Sequence, residues 1–337
     1  MARTTESRAL RPAALLWLLL LALLPVCGRR PAPTSLRLAV LPVLDALPLY
    51  VAEAQGYFAA EGVAVTLVPV GAAAERDQLL QAGQVDGVIT DLVALALYNR
   101  QTPTYDQDAN EDGATVIAVR WAMTPTSEFA QFRILAAGRS GLSHLEELKR
   151  VPIGVSEGTI IEYVTERLLV AEGLPPEDVL ILAVPRIAER MALLDAGELQ
   201  AATLPEPLAS LAVQQGAVAL IDDRAHPDVS GSLFAFRADI VEARADEVRA
   251  FLRAIDNATA TINADKPRWH GLLIDQQLIP AGLADSYSLP DYPPGGRPSP
   301  AQLKAVVTWL AATDRLEGTP PYATIVRDLN HDRQESQ

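Results

Sequence analysis

The sequence has a single cysteine, Cys27, among 337 residues, with only four histidines and three methionines. One cysteine excludes an intramolecular disulfide and any cysteine-based metal site. His144, His226, His270 and His331 show no metal-ligand spacing, and no nucleophile motif accompanies them, so the chain reads as a non-enzyme without a cofactor. Basic residues are outnumbered: 28 Lys and Arg against 42 Asp and Glu give a net charge of −14. That balance argues against a nucleic-acid partner, because phosphate contacts need a basic footprint. The long apolar run Ala13–Val26 is shorter than the ~20 residues of a membrane-spanning helix.

That run follows Arg3, Arg8 and Arg11 and ends at Cys27, the pattern of a secretory signal. Leu24-Pro25-Val26-Cys27-Gly28 resembles a bacterial lipobox, whose cysteine is lipidated and becomes the new N-terminus. The alternative is an ordinary signal peptide that contains a cysteine. The reading is therefore a signal peptide over 1–26 and a lipid anchor with its tether over 27–35. Cleavage removes three Arg and one Glu, so the mature chain carries −14 − 2 = −16. A chain this acidic meets a membrane through its N-terminal lipid, not by lying flat on anionic headgroups.

What remains is strongly patterned. A strand over 36–41, a helix from Pro48 to Gln55, a strand over 63–70, a helix ending at Gly83 and a strand ending at Asp91 alternate with short connections. This order predicts a doubly wound α/β lobe with a parallel sheet. The unit Leu80–Asp91 returns 114 positions later as Leu194–Pro205, and in each copy a glycine stops a helix just before an apolar strand. A second β-α-β series starts at Val151, with helices predicted over 159–171 and 187–195. Ser143-His144-Leu145-Glu146 has the spacing of a capping box, and Ser299 is placed to cap a helix over 300–312. The expected architecture is two doubly wound lobes, 36–125 plus 230–337 and 130–225, joined by a hinge of two crossings. In such sheets ligands sit beyond the carboxyl ends of the strands, here between the lobes.

The residues Leu38-Ala39-Val40-Leu41-Pro42, Leu47-Pro48-Leu49-Tyr50-Val51-Ala52, Gly56-Tyr57-Phe58 and Glu61-Gly62 resemble the opening of ABC-transporter substrate-binding proteins. Ala82-Gly83-Gln84-Val85-Asp86, Ile153-Gly154-Val155-Ser156-Glu157-Gly158-Thr159 and Leu204-Pro205-Glu206-Pro207 extend the likeness. The class is that of nitrate, sulfonate, taurine and thiamine-precursor binding proteins with the type 2 periplasmic-binding fold. The resemblance implies extracytoplasmic capture of a small solute and its delivery to a membrane permease with a cytoplasmic ATPase. Enzymes of thiamine-pyrimidine synthesis resemble the same fold but carry a cysteine-rich segment that this chain lacks; a sensory surface lipoprotein is a further alternative.

Candidate ligand contacts follow from the strand ends. Asp45 and Leu47 lie in the loop after the first strand, and Gly71 and Ala72 open a helix whose N–H groups are free to bind an oxygen. Thr90 and Asp91 end one strand; Ser156, Glu157 and Thr159 form the equivalent turn of the second lobe; Pro205 and Glu206 end another strand. Asp45 and Asp91 have the alternative of capping helices. Trp121 has a planar face for a ligand, against the plainer role of core residue. Four acids at these tips, with no Lys or Arg among them, favour a neutral or cationic organic solute such as a thiamine-type heterocycle. A small anion is the alternative, and Arg186 is the cation that would support it. Asp108, Asn110 and Asp112 match half of a calcium loop, but Val119 stands where its twelfth-position Glu belongs, so a solvated acidic loop is the competing reading.

Overall fold

The computed structural model describes residues 35–100, 115–318 and 321–329. The apolar run, Cys27, and the loop with Asp108, Asn110 and Asp112 lie outside the described residues. Strands β1 (Leu36–Val40), β2 (Val65–Pro69), β3 (Gly87–Asp91), β4 (Val116–Met123) and β10 (Ser232–Arg237) form one sheet in the order β2-β1-β3-β10-β4. Strands β5 (Phe132–Ala136), β6 (Pro152–Val155), β7 (Leu180–Ala183), β8 (Ala201–Pro205) and β9 (Val218–Asp222) form the other in the order β7-β6-β8-β5-β9. The two sheets share one topology, the two-lobed α/β arrangement that the repeat implies.

Each sheet departs from the expected parallel form at one strand. β10 is antiparallel to β3 and β4, and β5 is antiparallel to β8 and β9. Both are the strands by which the chain enters a sheet from the other one. They arrive from the cleft end and run back into the sheet, so their direction is reversed.

The helices α1 (Leu47–Ala54), α2 (Tyr57–Ala60), α3 (Ala73–Gln81) and α4 (Leu92–Tyr98) serve the first sheet. The helices α5 (Ile160–Ala171), α6 (Ile187–Ala196) and α7 (Leu208–Gln214) serve the second. Gly83 (φ +66°) and Gly197 (φ +75°) take the left-handed conformation after α3 and α6, where a side chain would be strained. The C-terminal part contributes α8 (Ala238–Ala243), α9 (Ala245–Ala264), α10 (His270–Asp275), α11 (Pro300–Ala312) and α12 (Tyr322–Ile325). α9 buries Val248, Phe251, Leu252, Ile255 and Ile262 along one face. Phe251 is its centre: it stacks on Phe58 and meets Phe234 and Phe236 edge-on. Ser299 caps α11 as expected, with Gln302 reaching back to its N–H. The turn at Leu145–Leu148 differs from expectation. It is a single 3₁₀ turn in which Glu147, not Glu146, accepts the Ser143 and His144 N–H groups, since the tighter turn puts a different carboxylate over the N-terminus.

The chain crosses between the sheets through 124–131 and 223–231, and Asp223 ties these segments together. Its wholly buried carboxylate accepts the N–H groups of Gln131 (2.8 Å) and Phe132 (3.2 Å) and the Ser230 hydroxyl (2.6 Å). A second connection is apolar: α4 meets α5 directly and α11 packs on α4 and, through Trp309, on Tyr163 of α5, so one buried cluster continues from the first sheet's helices into the second's. Among the described residues no helix is long and apolar enough to cross a membrane.

Candidate functional site

The carboxyl ends of the parallel strands of the two sheets meet at a seam of polar side chains. Asp45, in the turn after β1, is half-buried, and its carboxylate accepts a hydrogen bond from Gln131 Nε2 at 3.3 Å. Burial pushes Asp45 above the ordinary carboxylate range, and the polar groups beside it, Ser232 and Gln131 among them, pull the other way. Gln131 immediately precedes β5, whose first residue pairs with Pro205 at the tip of β8, so its bond to Asp45 runs from one half to the other. Gln131 Oε1 is buried without a partner, and the Gln131 carbonyl accepts the Glu206 N–H at 2.9 Å.

Glu206 is the second bridge. Its side chain is buried, with Oε1 2.8 Å from Arg133 Nε, and Oε2 accepts the Ser210 N–H (3.3 Å) and the Tyr287 hydroxyl (3.4 Å). Tyr287 belongs to the C-terminal part that packs on the first sheet. Burial raises the Glu206 carboxyl above its usual range, and Arg133 opposes that rise. A third contact lies nearby: Arg315, after α11, pairs with Glu157 (3.4 Å) and Glu162 (3.1 Å).

The other expected contacts divide by setting. Asp91 caps α4 by accepting the Ala94 N–H at 2.9 Å, and burial raises its carboxyl against the pull of Arg76. Thr90 is buried beside Tyr98. Thr159 caps α5, accepting the Ile161 N–H and donating to the Ser156 carbonyl. Leu47 is wholly buried in the core of the first sheet and has no exposed surface to offer a ligand. Gly71 and Ala72 are exposed beside the edge strand β2, and the Gly71 N–H is taken by Glu75 at 2.9 Å. Trp121 is 7% exposed, and its ring lies against Gly231 and Gly296.

Reading the sequence alone missed Gln131, Arg133, Tyr287 and above all Arg190. Arg186 is exposed, but Arg190, one turn further along α6, is wholly buried. Its Nη1 donates to Ser156 Oγ (3.0 Å) and to the Val184 carbonyl (2.8 Å), while Nε and Nη2 have no partner. Burial alone pulls this guanidinium down to about 10. A signal was available: the repeat extends upstream, with Ala74-Glu75-Arg76 answered by Ala188-Glu189-Arg190. Among the described residues no cluster of three or more His, Cys, Asp or Glu is placed to hold a metal ion.

Known structures share this arrangement. The alkanesulfonate-binding protein SsuA of Xanthomonas axonopodis pv. citri, bound to MOPS, superposes with a TM-score of 0.69 at 20% identity, over 88% of this chain and 99% of that one. The periplasmic aliphatic sulphonate-binding protein SsuA of Escherichia coli gives 0.69 at 18% identity, over 88% and 93%. A desulfurization enzyme, DSZB, gives 0.59 at 13% identity, over 90% and 99%. At these identities the likeness is one of fold. No curated protein matches in sequence. A family-level match does exist and spans residues 29–270, well over half of the 337-residue chain: the protein belongs to the NMT1-like family.

Proposed function

We propose that this protein is the extracytoplasmic solute-binding component of an ABC importer, taking one small molecule between its two halves and handing it to a permease. The observation that carries the reading is the pair of polar bridges across the seam, Gln131 to Asp45 and Tyr287 to Glu206. The first joins the turn after β1 to the start of β5, and the second ties the tip of β8 to the C-terminal part packed on the first sheet. With only two chain crossings between the halves, this is the geometry of a cleft that closes on a ligand. In this reading Asp45, Thr90, Asp91, Ser156, Glu157, Thr159, Pro205 and Glu206 line the ligand's surroundings. The fold shared with two sulfonate-binding proteins supports it.

Acidic strand tips support a neutral or cationic solute. A specific observation favours the second reading, an anion of the nitrate or sulfonate kind: each of the four acids has a partner inside the chain. Asp45 is held by Gln131, Asp91 by the α4 N-terminus, Glu206 by Arg133, and Glu157 by Arg315. A paired carboxylate repels an anion far less than a bare one.

The test is a thermal-shift screen of the mature chain against nitrogenous and sulfonated metabolites. A ligand at 100 times its dissociation constant adds about 2.7 kcal/mol of stability. Turnover of a compound, as the desulfurization enzyme of the same fold would show, together with no ligand-induced shift, rejects the transport reading. Anchoring belongs to the same proposal. Cys27→Ser is expected to release the protein from membranes, and retention of that variant rejects the lipid.

A further inference from the structure

The duplicated helix carries an arginine that the two halves treat differently. From 74 to 83 and from 188 to 197 seven of ten positions are identical, including Arg76 and Arg190. Both arginines lie in the first turn of equivalent helices, α3 after β2 and α6 after β7, and both are buried. Arg76 is neutralised: its Nε lies 2.7 Å from Asp77 Oδ1, Asp77 also accepts the Tyr98 hydroxyl, and Asp91 lies close by. At the position equivalent to Asp77 the second half has Met191. No carboxylate among the described residues pairs with Arg190, and two of its nitrogens bond to nothing.

Burying a guanidinium without a counter-charge costs several kcal/mol. The chain bears that cost at one specific place. The bonds from Nη1 reach Ser156 Oγ, just past the end of β6, and the carbonyl of Val184, just past the end of β7. These are the cleft ends of the second sheet. Ser156 is also three residues before the Thr159 cap of the 12-residue helix α5, whose first N–H groups carry partial positive charge. Glu162 already takes the Gly158 N–H in front of that terminus and pairs in turn with Arg315. The charge left over at this spot is therefore the unpaired guanidinium of Arg190, in surroundings where water screens little.

We propose that Arg190 is a specificity-determining residue: its unneutralised charge selects a solute with a negatively charged group and seats that group at the second half's strand tips, over Ser156 and the first turn of α5. The inference rests on the solute-capture reading and decides the charge of the solute. In the first half Asp77 cancels the equivalent arginine, so the anionic end binds to the second half and the remainder of the solute faces Asp45 and Thr90.

The decisive variant is Met191→Asp, which gives Arg190 the partner that Arg76 already has. Binding of nitrate, ethanesulfonate and the neutral analogue ethanesulfonamide is measured by calorimetry on the mature chain, alongside the unfolding midpoint. The expected result is a higher midpoint together with at least a tenfold loss of anion affinity and no loss for the neutral compound. Arg190→Lys, which keeps the charge, is expected to retain anion preference, whereas Arg190→Met is not. Undiminished anion binding in Met191→Asp with a raised midpoint overturns the role of Arg190 and leaves solute capture standing. If the wild type binds the neutral analogue as tightly as both anions, the charge assignment is overturned. If it binds none of the three and no other small solute, the capture reading falls as well.

Discussion

The indole N–H of Trp309 donates to Glu166 Oε2 at 2.7 Å, fastening α11 to α5. Tyr163 packs edge-on against the same indole at 5.3 Å, and Arg315 stacks over it while pairing with Glu157 and Glu162. The C-terminal helix thus grips the second half as well as the first, a third link beside the two crossings. Any opening of the cleft has to slide this seam or carry α11 along with α5.

Trp309→Phe keeps an aromatic ring but removes the donor and part of the indole's bulk, leaving a half-buried carboxylate short of a partner. The expected cost is about 1–3 kcal/mol in urea unfolding. Glu166→Gln still accepts the indole bond and is expected to cost less than about 1 kcal/mol, because it removes a charge that burial disfavours.

Asp223 gives the crossings a pH dependence of definite sign. Burial pulls its carboxyl up to about 6 from an ordinary 3.8, against the bonds from Ser230, Gln131 and Phe132. The folded state therefore holds this proton more tightly than the unfolded one. The stability it contributes is complete below pH about 4 and is lost as pH rises through about 6. The difference of about two pH units corresponds to roughly 3 kcal/mol. Asp223→Asn keeps an acceptor for the Gln131 amide and cannot titrate, so subtracting its stability profile from that of the wild type is expected to leave a fall of that order between pH 4 and 6. Parallel profiles would show that Asp223 keeps an ordinary carboxyl.

Much of this architecture is legible in the sequence because its signals are local. Ser299 and Pro300 mark the start of α11, and the glycines at 83 and 197 mark the ends of two equivalent helices. Strand tips are legible too, since they follow from the β-α-β order. What those tips touch is not. Gln131 meets Asp45 across 86 positions and Tyr287 meets Glu206 across 81, and nothing in the local pattern announces either pair. The reversed strands β5 and β10 have the same cause: their apolar runs are visible, but their direction depends on the half from which the chain arrives.

Arg120 pins β4 to the C-terminal part from inside the core. Its guanidinium donates to Asp256 (2.9 Å), to Thr259 (3.2 Å), and to the carbonyls of Trp121 (2.9 Å) and Pro293 (3.0 Å). Its side chain is 4% exposed while that of Asp256 is 42% exposed, so the two ends of the pair are unequal. Removing the arginine leaves an acid that water can reach; removing the acid strands a buried cation. Asp256→Ala is therefore expected to destabilise by about 3–5 kcal/mol and Arg120→Met by less. Chemical denaturation of both variants checks that order.

Gly231, at the start of β10, is set against Trp121. A Cβ there would lie 2.6 Å from Trp121 Cζ3 and 3.1 Å from Cη2, and the backbone φ of +135° is strained for any residue with a side chain. The indole has little room to withdraw. The Trp121 backbone N–H donates to the Gly296 carbonyl at 2.9 Å, and even a Cβ on Gly296 would lie only 3.4 Å from Cδ1. Gly231→Ala therefore combines overpacking with backbone strain, and a loss of about 2–4 kcal/mol is expected. The two contributions separate in a double-mutant cycle with Trp121→Leu. If the clash dominates, the double variant recovers stability relative to the sum of the singles; if the backbone dominates, the two losses add. Recovery is the expected result, since a rigid ring at 2.6 Å leaves the new methyl group nowhere to go.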